Sequence, residues 1–254
     1  MSEKFKTEAF VLRAVNYGER DVIVTLYSRE RGLLSALAKN ARSSKRFAGG
    51  IQLFRKVDAM LDHKKGREVD LFLEMNVLAH YPNIESSYDK ITIGSYGSEL
   101  LRELSKGDDD SERLFDLLEA FYRELDELGD DARTVETILH HFELRLLGRF
   151  GALPSLYTCH RCGKSHADME KLLFKRTGEG LLCVDCRRPG EAVGVVEVDT
   201  LSALHYYMEP AGSMPEALLM PDVRQQSRRV VNNSFRLILQ RDLKSRAMLE
   251  AVLA

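Results

Sequence analysis

The thiols of this 254-residue chain are confined to one stretch, where Cys159-x2-Cys162 is followed after twenty residues by Cys183-x2-Cys186. Two short-range pairs around a hairpin-length insert can bring four thiolates onto one tetrahedral zinc, in the manner of a zinc ribbon. Such a site has no open position for water or substrate, so the metal is expected to be structural rather than catalytic. Ligation of this kind contributes on the order of 10 kcal/mol to local folding. His160 and His166 lie close by and could serve as ligands, but four thiolates make them unnecessary, and both read as surface residues.

A second chemistry is carried by cations. From Arg31 to Val57 there are seven, Arg31, Lys39, Arg42, Lys45, Arg46, Arg55 and Lys56, and no carboxylate. Their centre, Lys39 to Gly50, reads as a flexible loop leaving a strand, able to follow a phosphate backbone. Phe47 inside it could stack on a base, although packing inward is the better reading of a lone aromatic. A second basic run at 222–246 places Arg224 and Arg228 four residues apart on one helix face. That face could take nucleic acid or an acidic partner peptide, and a merely solvated face explains it as well.

Signatures of catalysis are missing. The chain contains no G-x4-G-K-[ST], no G-x-G-x-x-G after a strand, no H-E-x-x-H, no G-x-S-x-G and no zinc-deaminase pattern. Asp108-Asp109-Asp110 reads as capping for the next helix rather than as a magnesium site. Composition, with 44% hydrophobic and 30% charged residues, is that of a globular protein. The start, MSEKFKTEAF, has no signal-peptide character, and no apolar run is long enough to span a membrane, so a cytoplasmic location is expected. The net charge of −2 is unevenly spread, being +5 over residues 1–80, −9 over 81–150 and +2 over 151–254. A basic N-terminal module made for a polyanion is implied.

These residues need elements to position them. Apolar runs at 8–15, 21–28 and 32–39, separated by turns at Asn16-Tyr17-Gly18 and 28–32, read as strands. Val57, Ala59 and Leu61, and then Val69, Leu71, Leu73 and Met75, alternate with polar residues around a turn at Lys64-Lys65-Gly66-Arg67. Five strands in about seventy residues fit an OB-type barrel over 1–80. Beyond Tyr81-Pro82 the period turns helical, with apolar stripes at 114–128 and 135–150 and a helix near 86–105 weakened by Gly94 and Gly97. Further helices are expected near 198–208, 222–240 and 244–253. The fold class is thus α+β multidomain: an OB-type barrel, a helical domain of residues 81–155 and 190–254, and a four-cysteine zinc element inserted at 156–189.

The chain resembles the RecO family of bacterial recombination mediators. The resemblance rests on Ala9 to Arg13, Tyr17-Gly-Glu-Arg-Asp21, Thr25-Leu26, Gly32 and Ala36 to Arg42, then on Leu146 to Gly151 with Pro154 and Cys159-His-Arg-Cys162-Gly163, and on Lys244-Ser245-Arg246. Asn40 stands where that family usually has glycine, and asparagine tolerates the left-handed conformation. The resemblance implies a non-enzymatic mediator, associated with the nucleoid, that binds single- and double-stranded DNA and anneals strands. With RecR as partner it would help load RecA onto DNA coated by single-strand-binding protein. Lys39, Arg42, Lys45 and Arg46 are then the expected DNA contacts, with Arg13 and Arg20 as further candidates, and the Arg224/Arg228 face would receive the acidic tail of single-strand-binding protein. Two readings stand beside this one: an RNA-binding or translation-associated OB and zinc-ribbon protein, and an assembly scaffold whose acidic middle docks a basic partner.

Overall fold

The computed structural model describes residues 2–47, 51–105, 110–129, 132–239 and 241–253. Its first five strands, β1 (Ser2–Tyr17), β2 (Asp21–Ser28), β3 (Gly32–Ala38), β4 (Lys56–Lys64) and β5 (Asp70–Ala79), close into a barrel in the order β1-β2-β3-β5-β4. Closure is made by β4 pairing antiparallel with β1 and by β5 running parallel to β3, the topology of the expected OB-type barrel. Alternate residues fill the interior. Val22, Val24, Ala36, Ala38, Val57, Ala59 and Leu61 are all buried, and the alanines leave room for neighbouring large side chains in a small barrel. Gly18 at φ +64° permits the β1–β2 turn, and Asn40, at φ +53°, adopts the left-handed conformation that asparagine tolerates.

One strand does not present the face its alternation predicts. Val69 lies outside β5 and is 37% exposed, and Leu71 and Leu73 are only half-buried, whereas Asp70 and Phe72 point inward. The register of β5 on β4 shifts at this point, Met60 pairing with Glu74 but Leu61 with Phe72. The extra residue, Leu73, is a β-bulge, and it exchanges the two faces of the strand so that Met75 and Val77 resume the inward positions.

The barrel continues into helices α1 (Pro82–Ser86), α2 (Tyr88–Leu104) and α3 (Ser111–Glu127). Here the glycines expected to weaken α2 have a packing role. A Cβ on Gly94 would come within 2.8 Å of Phe54, and one on Gly97 within 2.5 Å of Phe121. Both rings belong to an aromatic cluster around Tyr122, whose ring also meets Phe10 and Tyr81 and whose hydroxyl is 2.5 Å from Ser98 Oγ. That cluster joins residues from β1, the β3–β4 connection, the residue before α1, and helices α2 and α3 in one core. By packing, the chain divides into residues 1–128 with 243–254, and residues 129–242.

The C-terminal residues join the first unit because Glu99 on α2 accepts the Ser245 N–H at 2.9 Å and its hydroxyl at 2.7 Å, just before helix α7 (Arg246–Val252). The second unit holds α4 (Ala132–Arg149), a small sheet of β6 (Leu173–Lys175), β7 (Leu181–Leu182) and β8 (Val193–Val195), α5 (Val198–Met208) and α6 (Pro221–Phe235). The helix expected over 222–240 stops at Phe235, where the Leu237 and Ile238 N–H groups bond three residues back to Ser234 and Phe235 in a tightened last turn. Asp108 and Asp109 lie outside the described residues. Among the described residues, no helix is long and apolar enough to cross a membrane.

Candidate nucleic-acid interface and metal centre

The seven cations of the acid-free window fall into two groups. Arg31 pairs with Glu3 at 2.8 Å and lies over the Phe5 ring, Arg55 is 3.4 Å from Glu85, and Lys56 meets Glu8 at 3.0 Å and Glu119 at 2.9 Å. Those three are neutralised by acids from distant parts of the sequence. Lys39, Arg42, Lys45 and Arg46 are exposed and make no ion pair among the described residues, and the same holds for Arg13 and Arg20. Unneutralised cations on one segment are what a phosphate backbone requires.

The loop that carries the four is tethered rather than free. The Asn40 N–H donates to Asp21 Oδ1 at 2.8 Å, while Arg42 donates its N–H to the Arg20 carbonyl and its guanidinium to the Glu19 carbonyl at 3.1 Å. A short 3-10 turn at Lys45–Phe47 then drives Phe47 into the barrel, 3% exposed and edge-on to Phe72 with centroids 5.3 Å apart. Packing, not base stacking, is therefore the role of Phe47. On either side of Lys45 lies an open cleft, one of about 470 Å3 shared with Arg46, Arg55 and Asn76, the other of about 550 Å3 shared with Arg42, Ser43 and Asn16. Glu74 also lines the first cleft, so the loop is not acid-free in space as it is in sequence.

The four cysteine sulfurs lie within 4.8 Å of one another, with Cys162 and Cys183 Sγ 3.8 Å apart. A tetrahedral metal with bonds of ~2.3 Å requires sulfurs ~3.8 Å apart, so the cluster has the dimensions to hold a metal ion. Two knuckles supply it. Cys159 and Cys162 come from a tight turn closed by the Gly163 N–H on the Cys159 carbonyl, with Gly163 at φ +75°, and Cys183 and Cys186 from a 3-10 turn after β7.

Electrostatics favour a cation there. Burial pushes the Cys159 thiol up, but backbone N–H groups of Cys183, Cys162 and Arg161 outweigh it and bring the pKa down to about 6. Hydrogen bonding with the Cys183 and Cys162 thiols sends Cys186 up to about 12. Four sulfurs this close cannot all ionise without a positive charge between them. Arg161 clamps the two knuckles together. Its guanidinium donates to the Cys186 carbonyl and to Glu191 at 2.6 Å, and that contact holds the Glu191 carboxyl down at about 2. This clamp was not anticipated from the sequence, where Arg161 appears only as a spacer residue between Cys159 and Cys162.

Arg224 and Arg228 share a face of α6, as the spacing predicts, but the face is turned inward. Arg224 Nε is 3.1 Å and Arg228 Nε 3.5 Å from the carboxylate of Glu136 on α4, which is 1% exposed. The two arginine side chains are only 20% and 19% exposed. A buried acid two helices earlier in the chain draws both guanidiniums onto itself. His140, one turn along α4, is buried with Nδ1 2.6 Å from Glu143, whereas His141 reaches the Tyr207 carbonyl at 2.9 Å.

Comparison with known proteins agrees with the geometry on both parts of the chain. Residues 1–81 match the family model described as Recombination protein O N terminal, and residues 85–247 match Recombination protein O C terminal. A DNA repair protein RecO of Syntrophus aciditrophicus (strain SB) is 31% identical over 97% of this chain and 95% of its own length. One from Myxococcus xanthus (strain DK1622) is 33% identical over 96% of each, and one from Desulfatibacillum aliphaticivorans 33% identical over 77% of each.

Proposed function

The chain belongs to the RecO family of DNA repair proteins, and from that premise we propose that it is a non-enzymatic, cytoplasmic mediator that grips DNA backbone and anneals complementary strands. The observation that carries this reading is the set of four unneutralised cations, Lys39, Arg42, Lys45 and Arg46, held on a tethered loop between two open clefts of the barrel. Repulsion between two phosphate backbones opposes annealing, and cations reaching into a cleft on each side of one loop reduce it for both strands. Arg13 and Arg20 are assigned as weaker contacts beside them. No bond is made or broken in this process, so no nucleophile, base or nucleotide site is required.

Within the same reading, RecR and single-strand-binding protein are the protein partners, and with RecR the chain helps load RecA onto single-stranded DNA coated by single-strand-binding protein. An acidic tail peptide of single-strand-binding protein contacting Arg224 and Arg228 would have to compete with Glu136, which titration of such a peptide against an Arg224/Arg228 alanine variant tests. The metal of the four-cysteine site is zinc, chosen by thiolate softness and tetrahedral spacing, and its part is to fold the insert.

The deciding experiment is annealing of complementary strands coated with single-strand-binding protein. Wild type is expected to anneal them rapidly, and a Lys39/Arg42/Lys45/Arg46 alanine variant of verified fold and metal content to lose that activity. Failure by wild type, with binding of single-stranded RNA in its place, would favour the RNA-binding reading.

A further inference from the structure

The four-cysteine site has a core side and a solvent side. Cys159 and Cys183 are 1% and 2% exposed and pack with Leu173 and Leu182, whereas Cys162 is exposed and Cys186 half-buried. Main-chain groups hold the core side. The Cys183 N–H donates to Cys159 Sγ at 3.5 Å and the His160 N–H to the Leu181 carbonyl at 2.8 Å, which ties the first knuckle to β7. Release of a metal from four thiolates begins when one sulfur leaves it and meets a proton or a competing ligand, so Cys162 and Cys186 are the sulfurs at which release starts.

Two side-chain links cross from the first knuckle to the second segment, and they are unequal. Lys164 meets Asp185 at 3.5 Å with side chains 39% and 78% exposed, a surface pair of little energetic weight. Arg161 meets Glu191 as a fork, one guanidinium nitrogen 2.6 Å from Oε1 and the other 3.2 Å from Oε2, with side chains 24% and 18% exposed. The nitrogen that reaches Oε2 also donates to the Cys186 carbonyl. Glu191 is fixed in turn, because Oε2 accepts the Arg188 N–H at 2.8 Å and the Glu191 N–H donates to the Arg188 carbonyl. One arginine of the first knuckle thus grips the second segment twice, at the half-buried ligand itself and at the residue that closes the turn after it. Its charge also acts on Cys186 and Cys159, where four thiolates outnumber the two charges of a divalent ion and favour a further cation.

We propose that Arg161 is the positioning residue of the metal centre, holding Cys186 in place and thereby setting how fast the metal is released. The inference rests on the zinc reading above and adds to it the side of the site from which the ion departs. With the clamp closed, Cys186 leaves only if its carbonyl and the Glu191 turn move with it, so displacement of Cys162 still leaves three ligands on the metal. With the clamp open, Cys162 and Cys186 are displaced together, and the two buried thiolates are left to hold the ion alone.

The test follows zinc transfer from the zinc-loaded full chain to the chromogenic chelator 4-(2-pyridylazo)resorcinol, together with iodoacetamide labelling of the loaded protein mapped cysteine by cysteine. Arg161→Ala is expected to release zinc about 10–100-fold faster than wild type, the range found when a residue that orients a metal ligand is removed. Glu191→Gln should act in the same direction, and Lys164→Ala, which breaks only the exposed pair, should release zinc at the wild-type rate. Arg161→Lys keeps the charge but not the fork, so its rate should fall between those of wild type and Arg161→Ala. If Arg161→Ala purifies without zinc, the lysine and Glu191→Gln variants carry the measurement. In wild type Cys162 should be labelled first. In the Arg161 variants Cys186 should be labelled alongside it, ahead of Cys159 and Cys183, a pattern that general loosening of the element does not produce. An unchanged rate in the Arg161 and Glu191 variants, equal acceleration by Lys164→Ala, a wild-type rate in Arg161→Lys, or simultaneous labelling of all four cysteines would each overturn the assignment. Wild type that holds no zinc after growth in zinc-replete medium would instead overturn the zinc reading itself.

Discussion

Glu136 holds two arginines in the interior of the second unit. Burial pushes its carboxyl up, while His140, Arg228 and Arg224 pull it back toward the charged form. Removing the acid takes away the carboxylate that two guanidiniums share at a site where they are about four-fifths buried. Breaking a fully buried pair costs ~3–5 kcal/mol, and partial exposure of the arginines brings the expected loss for Glu136→Gln to about 2 kcal/mol. Chemical denaturation of the variant checks this, and an unchanged midpoint would mean the cluster adds nothing to stability. Glu99 behaves in the opposite sense. Burial pushes it up, but the Ser245 hydroxyl and N–H, the Lys244 N–H and Arg102 together hold it below the usual carboxylate range. Its contribution is therefore complete above the unfolded pKa of about 4.3 and is lost as pH falls through the depressed folded value. Glu99→Gln should lower stability by ~1.5–3 kcal/mol at neutral pH, and the gap from wild type should close under acid, which unfolding curves at pH 7 and pH 3 would show. Neither acid was legible in the sequence. The spacing of Arg224 and Arg228 fixes the face they share but not what lies opposite, because Glu136 is almost ninety residues away along the chain. The same blindness made Arg31, Arg55 and Lys56 look like members of one basic window, when Glu3, Glu85, Glu8 and Glu119 neutralise them.

Elements were more readable than contacts, because periodicity is a local property. The barrel strands, the long helices and the cysteine knuckles all follow from alternation, apolar stripes and C-x2-C spacing. What periodicity missed is where one element meets another. The bulge at Leu73 reverses the faces of β5 without any mark in the sequence, since Val69, Leu71 and Leu73 alternate as well as any buried set. Gly94 and Gly97 likewise read as a cost to helix formation, although they are the points where Phe54 and Phe121 approach α2. Alanine at Gly97 would gain ~1 kcal/mol of helix propensity but would set a Cβ 2.5 Å from the Phe121 ring. Overpacking costs ~1–3 kcal/mol, and here the ring also belongs to the Tyr122 cluster, so Gly97→Ala is expected to lower the thermal midpoint. A raised midpoint would show that the ring can move aside. For the four-cysteine element, chelation should release amide protection in β6, β7 and β8 while leaving the barrel strands protected, because the cysteines and the barrel belong to different packing units. Hydrogen exchange with and without chelator separates the two, and loss of barrel protection would place the metal in global rather than local folding.

At the scale of the molecule, the uneven charge along the chain has two uses inside the first unit. Part of the acidic middle answers the barrel's own cations. Arg29, stacked on Phe115, is 2.7 Å from Asp116 and within 4 Å of Glu8, Glu112 and Glu119, and Lys56 joins Glu8 and Glu119 beside the same ring. Burial alone would lower the Lys56 pKa, but Glu119 and Glu8 raise it above its ordinary value. These cations are structural, and the acids that meet them are not free to dock a basic partner, which weakens the scaffold reading. The remainder, Lys39, Arg42, Lys45 and Arg46, face solvent. Sequence position cannot tell the two groups apart, but salt can. Each phosphate neutralised on a single strand contributes ~0.7 to the slope of log K against log salt, so the four loop cations together predict a slope of about −3. Replacing any one of them with alanine should flatten the slope by ~0.7 with little change in thermal stability. Lys56→Ala should do the reverse, lowering stability by removing one of the two cations, Arg29 and Lys56, that meet both Glu8 and Glu119, while the slope stays as in wild type. If Lys56→Ala flattens the slope and Arg42→Ala does not, phosphate contact lies at the ion-paired side of the barrel and the loop assignment falls.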